Sequence, residues 1–167
     1  MTPIPADNEL HRIAITGIVW RMREDGEREF LITKRALHKK VMPGKWTVPG
    51  GGFEVSDYIN EDATYANTES PQWYNAVERA LRREIREEVG LEITDIRYLL
   101  DVVFIRPDGI PVLVLSYFCK YESGEVVLDA DATEFAWIRA EEVGNFELIQ
   151  GIDHEIQEAH KRLNTHT

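Results

Sequence analysis

Three glutamates near the middle of the chain have the spacing of a cation-binding helix edge. In the segment 76–89, a helical wheel places Glu84 and Glu88 within about 20° of the centre of the apolar face, with Glu87 at its edge. Burying ionised carboxylates is costly, and like charges one helical turn apart repel each other. A divalent cation removes both penalties, so the segment predicts a metal site. The alternative is a surface helix whose glutamates pair with arginines or lysines.

Carboxylates in this arrangement suit Mg²⁺. This hard cation takes octahedral oxygen coordination and commonly bridges one or two carboxylates to substrate phosphates. Mn²⁺ accepts the same ligands and can substitute for it. Hydrolysis of a pyrophosphate bond needs neutralised phosphoryl oxygens and an activated water, and bound Mg²⁺ supplies both.

Candidate contacts for a phosphorylated substrate lie before the acidic helix. The segment 34–45 contains six basic residues, counting His38, and no acidic one. A local positive cluster in an acidic protein is where an anion can approach, the alternative being a solvated basic loop. The candidates are Arg35, Lys39, Lys40 and Lys45. Tyr58 and Trp73 could stack on a base, although aromatic residues more often anchor their own loop.

Composition limits the class of protein. A chain of 167 residues with 43% hydrophobic content can bury one core, so residues 1–167 are interpreted as a single domain. A net charge of -11 repels polyanions and argues against nucleic acid as a partner. The one cysteine, Cys119, leaves no intrachain disulfide and favours a reducing compartment. With no signal peptide and no membrane-spanning apolar run, we expect a cytoplasmic protein without a membrane partner.

The elements that would position these residues follow from periodicity and turn residues. β-Branched runs predict strands at 12–20 and 29–35 that pair as a hairpin. An irregular loop with one proline and three glycines follows at 46–54. A polar insertion at about 58–75 then precedes the helix 76–89, which a glycine at position 90 should end.

The second half of the chain predicts three strands and a helix. The runs 93–106 and 110–121 flank the turn Pro107-Asp108-Gly109, which favours a long hairpin. A shorter strand follows at 133–139, and apolar residues at helical spacing predict a C-terminal helix at 149–163 that covers the core. Together the elements predict an α+β fold, an α/β/α sandwich with a mixed β-sheet.

The glycine loop and the acidic helix together resemble the Nudix hydrolase family, whose motif is G-x5-E-x7-R-E-U-x-E-E-x-G-U, with U an aliphatic residue. Residues 83–91 fill every specified position of the second half, and residues 45–51 resemble the strand and loop before it. The first half departs from the motif. The early glutamate corresponds to Asp57 when counted from Gly51 and to Asn75 when counted back from Arg83. Those two positions are 18 residues apart, which is the length of the insertion.

The resemblance implies roles for individual residues. Mg²⁺ would be bound by the backbone carbonyl of Gly50 or Gly51 and by three carboxylates. These carboxylates are the side chains of Glu84, Glu87 and Glu88. Arg83 would hold the helix glutamates in place. Members of the family also recruit an acid from a later loop, for which Asp131 and Glu134 are the candidates and Glu134 is preferred. An exposed, solvated acid is the alternative for either.

The activity implied by the resemblance is Mg²⁺-dependent hydrolysis of a pyrophosphate bond in a nucleoside diphosphate linked to a further group. The favoured substrate is a nucleoside triphosphate, converted to nucleoside monophosphate and pyrophosphate. ADP-ribose or a nucleotide sugar is the alternative substrate. A ligand-binding module without catalysis is the alternative of another class, favoured by the altered first half of the motif and opposed by the three retained glutamates. The oligomeric state is left open, with a homodimer as one option.

Overall fold

Seven strands and two α-helices make up the part of the chain that the computed structural model describes, residues 10–66 and 69–165. The strands are β1 (Arg12–Met22), β2 (Arg28–Arg35), β3 (Trp46–Thr47), β4 (Gly50–Gly52), β5 (Glu92–Ile105), β6 (Pro111–Ser123) and β7 (Ala132–Ile138). The helices are α1 (Ala76–Val89) and α2 (Ile152–Thr165). Both predicted hairpins are confirmed, because β1 pairs antiparallel with β2 and β5 pairs antiparallel with β6.

Two segments differ from their predictions because of backbone hydrogen bonds. The predicted irregular loop 46–54 contains β3 and β4, which pair with β2 and β1. The C-terminal helix begins at Ile152 rather than at residue 149. The N–H of Ile149 donates to the carbonyl of Trp46 at 2.8 Å, so this residue is tied to β3 before the helix starts.

The sheet is mixed, with β1 at its centre. The strand order is β3-β2-β1-β6-β5, with β4 also paired to β1 and β7 to β2. β1 runs parallel to β6 from Arg12 to Trp20. Its other edge is shared, since Ala14 to Thr16 pair with β4 whereas Trp20 to Met22 pair with β2. β4 and β2 thus pair with successive parts of the same edge of β1, and the glycine strand β4 lies beside the first half of β1.

One helix covers each face of the sheet, which confirms the predicted α/β/α sandwich. Ile15 and Val19 of β1 pack in one apolar cluster with α1, whereas Ile18 and Trp20 pack in the other with α2. Gly17 lets α1 approach, because a Cβ atom there would lie 2.7 Å from Cδ1 of Ile85. No helix in the described residues is long and apolar enough to cross a membrane.

Candidate active site

Helix α1 directs two carboxylates toward the sheet and one toward solvent. Its buried residues are Ala80, Leu81, Ile85 and Val89, and it ends at Gly90, whose φ of 72° is left-handed. Glu84 and Glu88 lie on the buried side, and the side chain of Glu84 is 13% exposed. Glu87 is 59% exposed. The predicted inward direction is confirmed for Glu84 and Glu88.

The glycine strand β4 approaches these two carboxylates with its backbone. The N–H of Gly50 donates to Oε2 of Glu88 at 3.0 Å. A Cβ atom on Gly51 would lie 2.5 Å from the carboxyl carbon of Glu84, and one on Gly50 would lie 2.2 Å from the carbonyl oxygen of Ile15. Neither position has room for a side chain, so the glycines bring the loop backbone against the acidic helix.

A cavity of about 470 Å³ opens between β4, β1 and the C-terminal end of α1. Its acidic lining consists of Glu84, Glu88, Asp129 and Asp131, and its basic lining consists of Arg12, Arg35 and Lys39. The segment before β7 is held to α1 by a hydrogen bond from the N–H of Asp129 to the carbonyl of Glu88 at 3.1 Å. That bond places a second pair of acids beside the helix glutamates.

The acids of this cavity make Glu88 hard to ionise. Burial raises the pKa of Glu88 to about 7. Three carboxylates act in the same direction, from Glu84, Asp129 and Asp131, whereas the Gly50 N–H opposes them. Burial also raises the pKa of Glu84, and the adjacent Arg83 guanidinium partly offsets that effect. A cation in the cavity would relieve both carboxylates.

The donor set fits Mg²⁺ held jointly by protein and substrate. Within the described residues, no three acidic, histidine or cysteine side chains are grouped as a ready-made metal cage. Mg²⁺ usually takes one or two carboxylates and completes its octahedron with water and phosphate oxygens. Glu84, Glu88 and the backbone of Gly50 and Gly51 line one cavity and supply such a partial set. The third predicted ligand, Glu87, is outside this lining because its exposed carboxylate is ion-paired with Arg83.

Arg83 joins the helix acids to the loop before the insertion. Its Nη2 donates to Oδ1 of Asp57 at 2.5 Å and to Oε1 of Glu84 at 2.9 Å, and its Nη1 donates to Oε2 of Glu87 at 2.8 Å. The Asp57 side chain is 3% exposed, and its other oxygen accepts from the N–H of Glu54. Of the two candidates for the early acidic position, Asp57 contacts Arg83, whereas Asn75 stands at the N-terminal end of α1 with a φ of 58°.

Of the two later acids predicted from the sequence, Asp131 lines the cavity and the preferred Glu134 does not. Glu134 lies within β7 opposite Lys34, to which it is ion-paired at 2.7 Å, and its side chain is 55% exposed outside the cavity. Asp131 precedes that strand and lines the cavity, where its carboxylate accepts from Nζ of Lys39 at 2.6 Å. The difference arises from strand register, which a single sequence does not define.

Two of the four predicted basic contacts reach the cavity. Arg35 and Lys39 line it. Lys40 is exposed outside the lining, and Lys45 is ion-paired with Glu147. Sequence reasoning missed Arg12 and Asp129, because their approach to the cavity depends on the pairing of β1 and on the contact with α1. For Arg12, the signal in the local sequence is a charged residue at the start of an apolar strand.

The predicted aromatic contacts anchor the insertion. Tyr58 stacks on Phe53 with ring centroids 5.7 Å apart and contacts Trp73 at 5.3 Å. The indole N–H of Trp73 donates to the carbonyl of Glu61 at 2.9 Å. Neither Tyr58 nor Trp73 lines the carboxylate cavity, because both rings are used to hold the loop against β4.

A cavity that sets carboxylates against cations suits a phosphorylated ligand bound together with a divalent cation. In sequence, residues 11–159 match the NUDIX domain family. Nucleoside triphosphatase NudI of Klebsiella pneumoniae (strain 342) is 31% identical over 132 residues, covering 73% of this chain and 81% of that protein. Nucleoside triphosphatase NudI of Escherichia coli (strain K12) is 29% identical, covering 71% and 79%. The chain belongs to the Nudix family and is a Nudix pyrophosphohydrolase.

Solved structures share the fold at low sequence identity. The NUDIX domain of Shewanella oneidensis NrtR, in complex with ADP ribose, has a TM-score of 0.69 and 16% identity, covering 93% of this chain and 90% of that chain. The MutT protein from Methanosarcina mazei Go1 has a TM-score of 0.65 and 20% identity, covering 95% and 99%. Both support the same sandwich of two helices around a mixed sheet.

Proposed function

We propose that the protein hydrolyses a pyrophosphate bond of a nucleoside triphosphate in a Mg²⁺-dependent reaction, releasing nucleoside monophosphate and pyrophosphate. The observation that carries the proposal is a single cavity lined by the carboxylates of Glu84 and Glu88 and also by Arg12 and Arg35. The name of the NudI relatives, nucleoside triphosphatase, favours a triphosphate over ADP-ribose or a nucleotide sugar. A cytoplasmic location and the absence of nucleic acid and membrane partners remain predictions.

Each residue of the cavity has a task in this reaction. Glu84 and Glu88 would hold Mg²⁺, which when bound neutralises phosphoryl oxygens and acidifies water. The Gly50 N–H fixes the carboxylate of Glu88, and Arg83 fixes that of Glu84. Arg12 and Arg35 offer guanidinium donors to the phosphate oxygens.

The proton of the attacking water passes to a carboxylate of the cavity. Glu84 and Glu88 are committed to the cation, which leaves Asp129 and Asp131. The hydrogen bond from Lys39 lowers the pKa of Asp131 and makes it a weaker base. We assign this role to Asp129, whose N–H is hydrogen-bonded to the carbonyl of Glu88 and whose carboxylate accepts from the backbone N–H of Asp131 rather than from a lysine.

Substitution of the two inward glutamates tests this assignment. Glu84→Gln and Glu88→Gln each preserve side-chain volume and remove one negative ligand. We expect Mg²⁺-dependent turnover to fall by at least about 100-fold in both, in the range that a lost charged catalytic group produces. Glu78→Gln on the same helix is the matched control, because Glu78 is exposed, is ion-paired with Arg82 and does not line the cavity. Unchanged turnover in both inward variants would overturn the mechanism.

A substrate panel separates the candidate activities. Nucleoside triphosphates, dinucleoside polyphosphates, ADP-ribose and nucleotide sugars are incubated with enzyme and Mg²⁺, and the products are identified by chromatography. We expect the highest kcat/KM with a nucleoside triphosphate. A higher value with ADP-ribose would replace the proposed substrate, and binding without hydrolysis of any compound would favour the non-catalytic module. The hydrogen bond from Arg83 to Asp57 speaks against that module, because it gives the altered first half of the motif an acidic partner for the helix.

A further inference from the structure

A chain of buried polar groups connects helix α2 to the carboxylate cavity. Glu155 of α2 is 6% exposed and accepts a hydrogen bond on Oε2 from the hydroxyl of Ser116 at 2.8 Å. Ser116, fully buried in β6, is 2.8 Å from the hydroxyl of Thr16 in β1. Thr16 lines the cavity. Three elements thus contribute one residue each to a line that ends at the substrate site.

The buried position of Glu155 is energetically unfavourable for a carboxylate whose only role is to stabilise the fold. The other buried residues of α2 are apolar: Ile152, Ile156, Ala159 and Leu163. Burial raises the pKa of Glu155, which shows that its charge is incompletely compensated there. An apolar side chain of similar size would cost less to bury. The carboxylate therefore needs a purpose outside core packing.

The chain fixes the hydrogen-bonding character of Thr16. A serine hydroxyl has a single hydrogen, and Ser116 donates it to Glu155. The contact between Ser116 and Thr16 is then a hydrogen bond donated by Thr16. The oxygen of Thr16 retains only lone pairs for the cavity. Any polar group of a ligand at this point must donate a hydrogen.

The surroundings of Thr16 suit a base rather than a phosphate. Ala14, Val48 and Val114 line the same cavity and give it apolar surface. A flat heterocycle can lie on apolar surface while one edge makes a polar contact, which is the usual composition of a ligand pocket.

We propose that Thr16 determines base specificity by accepting a hydrogen bond from an N–H of the substrate base, and that Ser116 and Glu155 set this acceptor character. The proposal rests on the proposed function, since it takes the substrate to be a nucleotide. Thr16 is the residue that touches substrate. Ser116 and Glu155 act through it as positioning residues.

The first experiment compares nucleoside triphosphates that differ by one amino group. ATP is paired with purine riboside triphosphate, and GTP with inosine triphosphate. We expect the wild type to favour the amino-bearing member of one pair by about threefold to tenfold in kcat/KM, the effect of one neutral hydrogen bond. Thr16→Val, which keeps the shape and removes the hydroxyl, should abolish that preference. A 2′-deoxynucleoside triphosphate tests whether Thr16 contacts the sugar hydroxyl instead of the base. A substrate preference that depends on the 2′-hydroxyl would overturn the proposal.

The second experiment tests the direction of the chain. Glu155→Leu frees the hydrogen of Ser116 for Thr16, so that Thr16 turns its own hydrogen into the cavity and the preference for the amino-bearing substrate falls or reverses. In Glu155→Gln the amide oxygen still accepts from Ser116, so the preference should survive. If Glu155 had only a structural role, its substitution would lower kcat/KM equally for the substrates with and without the amino group. The ratio of the two values would then be unchanged. Glu158→Leu on the same helix is the matched control, since Glu158 lies outside the chain of buried groups.

The outcomes distinguish the two proposals. Thermal melting of each variant establishes that the fold is retained before rates are compared. A preference that is the same in the wild type, Thr16→Val and Glu155→Leu overturns the role of the buried chain while leaving nucleotide hydrolysis intact. A wild type that hydrolyses no triphosphate overturns the proposed function, and the role of Thr16 falls with it.

Discussion

Removal of the negative charge at Glu88 should stabilise the metal-free protein. The carboxylate is largely buried, accepts from the N–H of Gly50 at 3.0 Å, and is repelled by the carboxylates of Glu84, Asp129 and Asp131. Glu88→Gln retains an oxygen for the Gly50 N–H and replaces the charge by an amide that can donate to the neighbouring carboxylates. The substitution therefore removes the cost of burying a charge and the repulsion by the neighbouring acids, and it keeps the hydrogen bond from Gly50.

The magnitude follows from the pKa of Glu88. An acid whose pKa is higher in the folded than in the unfolded protein binds its proton more tightly when folded, so stability falls as pH rises between the two values. Moving this pKa from 4.5 to about 7 costs the folded state about 3 kcal/mol above pH 7 and almost nothing below pH 4. We expect Glu88→Gln to recover most of that free energy at pH 8.

Urea unfolding followed by circular dichroism measures the effect. Wild type and Glu88→Gln are unfolded at pH 8 with chelator, and Glu78→Gln serves as the matched control. Glu88→Gln should gain up to about 3 kcal/mol in free energy of unfolding, and the gain should shrink toward pH 5. Added Mg²⁺ should stabilise the wild type and leave the variant nearly unchanged. Equal or lower stability of Glu88→Gln without metal at pH 8 would refute the reasoning.

Three further substitutions have defined outcomes. Gly51→Ala places a Cβ atom 2.5 Å from the carboxyl carbon of Glu84, so kcat/KM should fall at least about tenfold with little change in melting temperature, and full activity would show that the close approach is dispensable. Asp129→Asn should lower kcat by about 100-fold or more if Asp129 takes the proton, while the stabilisation by added Mg²⁺ persists; an unchanged kcat excludes this base. Gly17→Ala brings a Cβ atom to 2.7 Å from Ile85 and should cost about 1–3 kcal/mol in urea unfolding, whereas no loss would mean that α1 shifts freely.

Local periodicity predicted the parts of the site that lie on one element. The bounds of α1 and the inward direction of Glu84 and Glu88 follow from the helical repeat, which needs no information about the rest of the fold. The helical repeat places Glu87 at the edge of the apolar face, so it does not decide whether this side chain is buried or exposed. In the structure Glu87 pairs with Arg83 at the surface.

Contacts between distant segments could not be predicted in the same way. Asp131 and Glu134 differ by three positions, and only the pairing of Glu134 with Lys34 in the sheet excludes it from the cavity. Asp57 and Asn75 were equivalent by counting, and the hydrogen bond from Arg83 distinguishes them. Glu155 lies three residues after Ile152 and four before Ala159, at the edge of the apolar face of α2, but its partner Ser116 is brought to it only by packing. In each case the deciding partner lies far away in sequence.

The central claim is that this cavity hydrolyses a nucleoside triphosphate with a divalent cation held by Glu84 and Glu88. ³¹P nuclear magnetic resonance of the reaction mixture tests it directly. With Mg²⁺ we expect the triphosphate signals to be replaced by those of nucleoside monophosphate and pyrophosphate, with no conversion in the presence of chelator or in Glu84→Gln. Release of nucleoside diphosphate and orthophosphate, or conversion that persists with chelator, would contradict the claim.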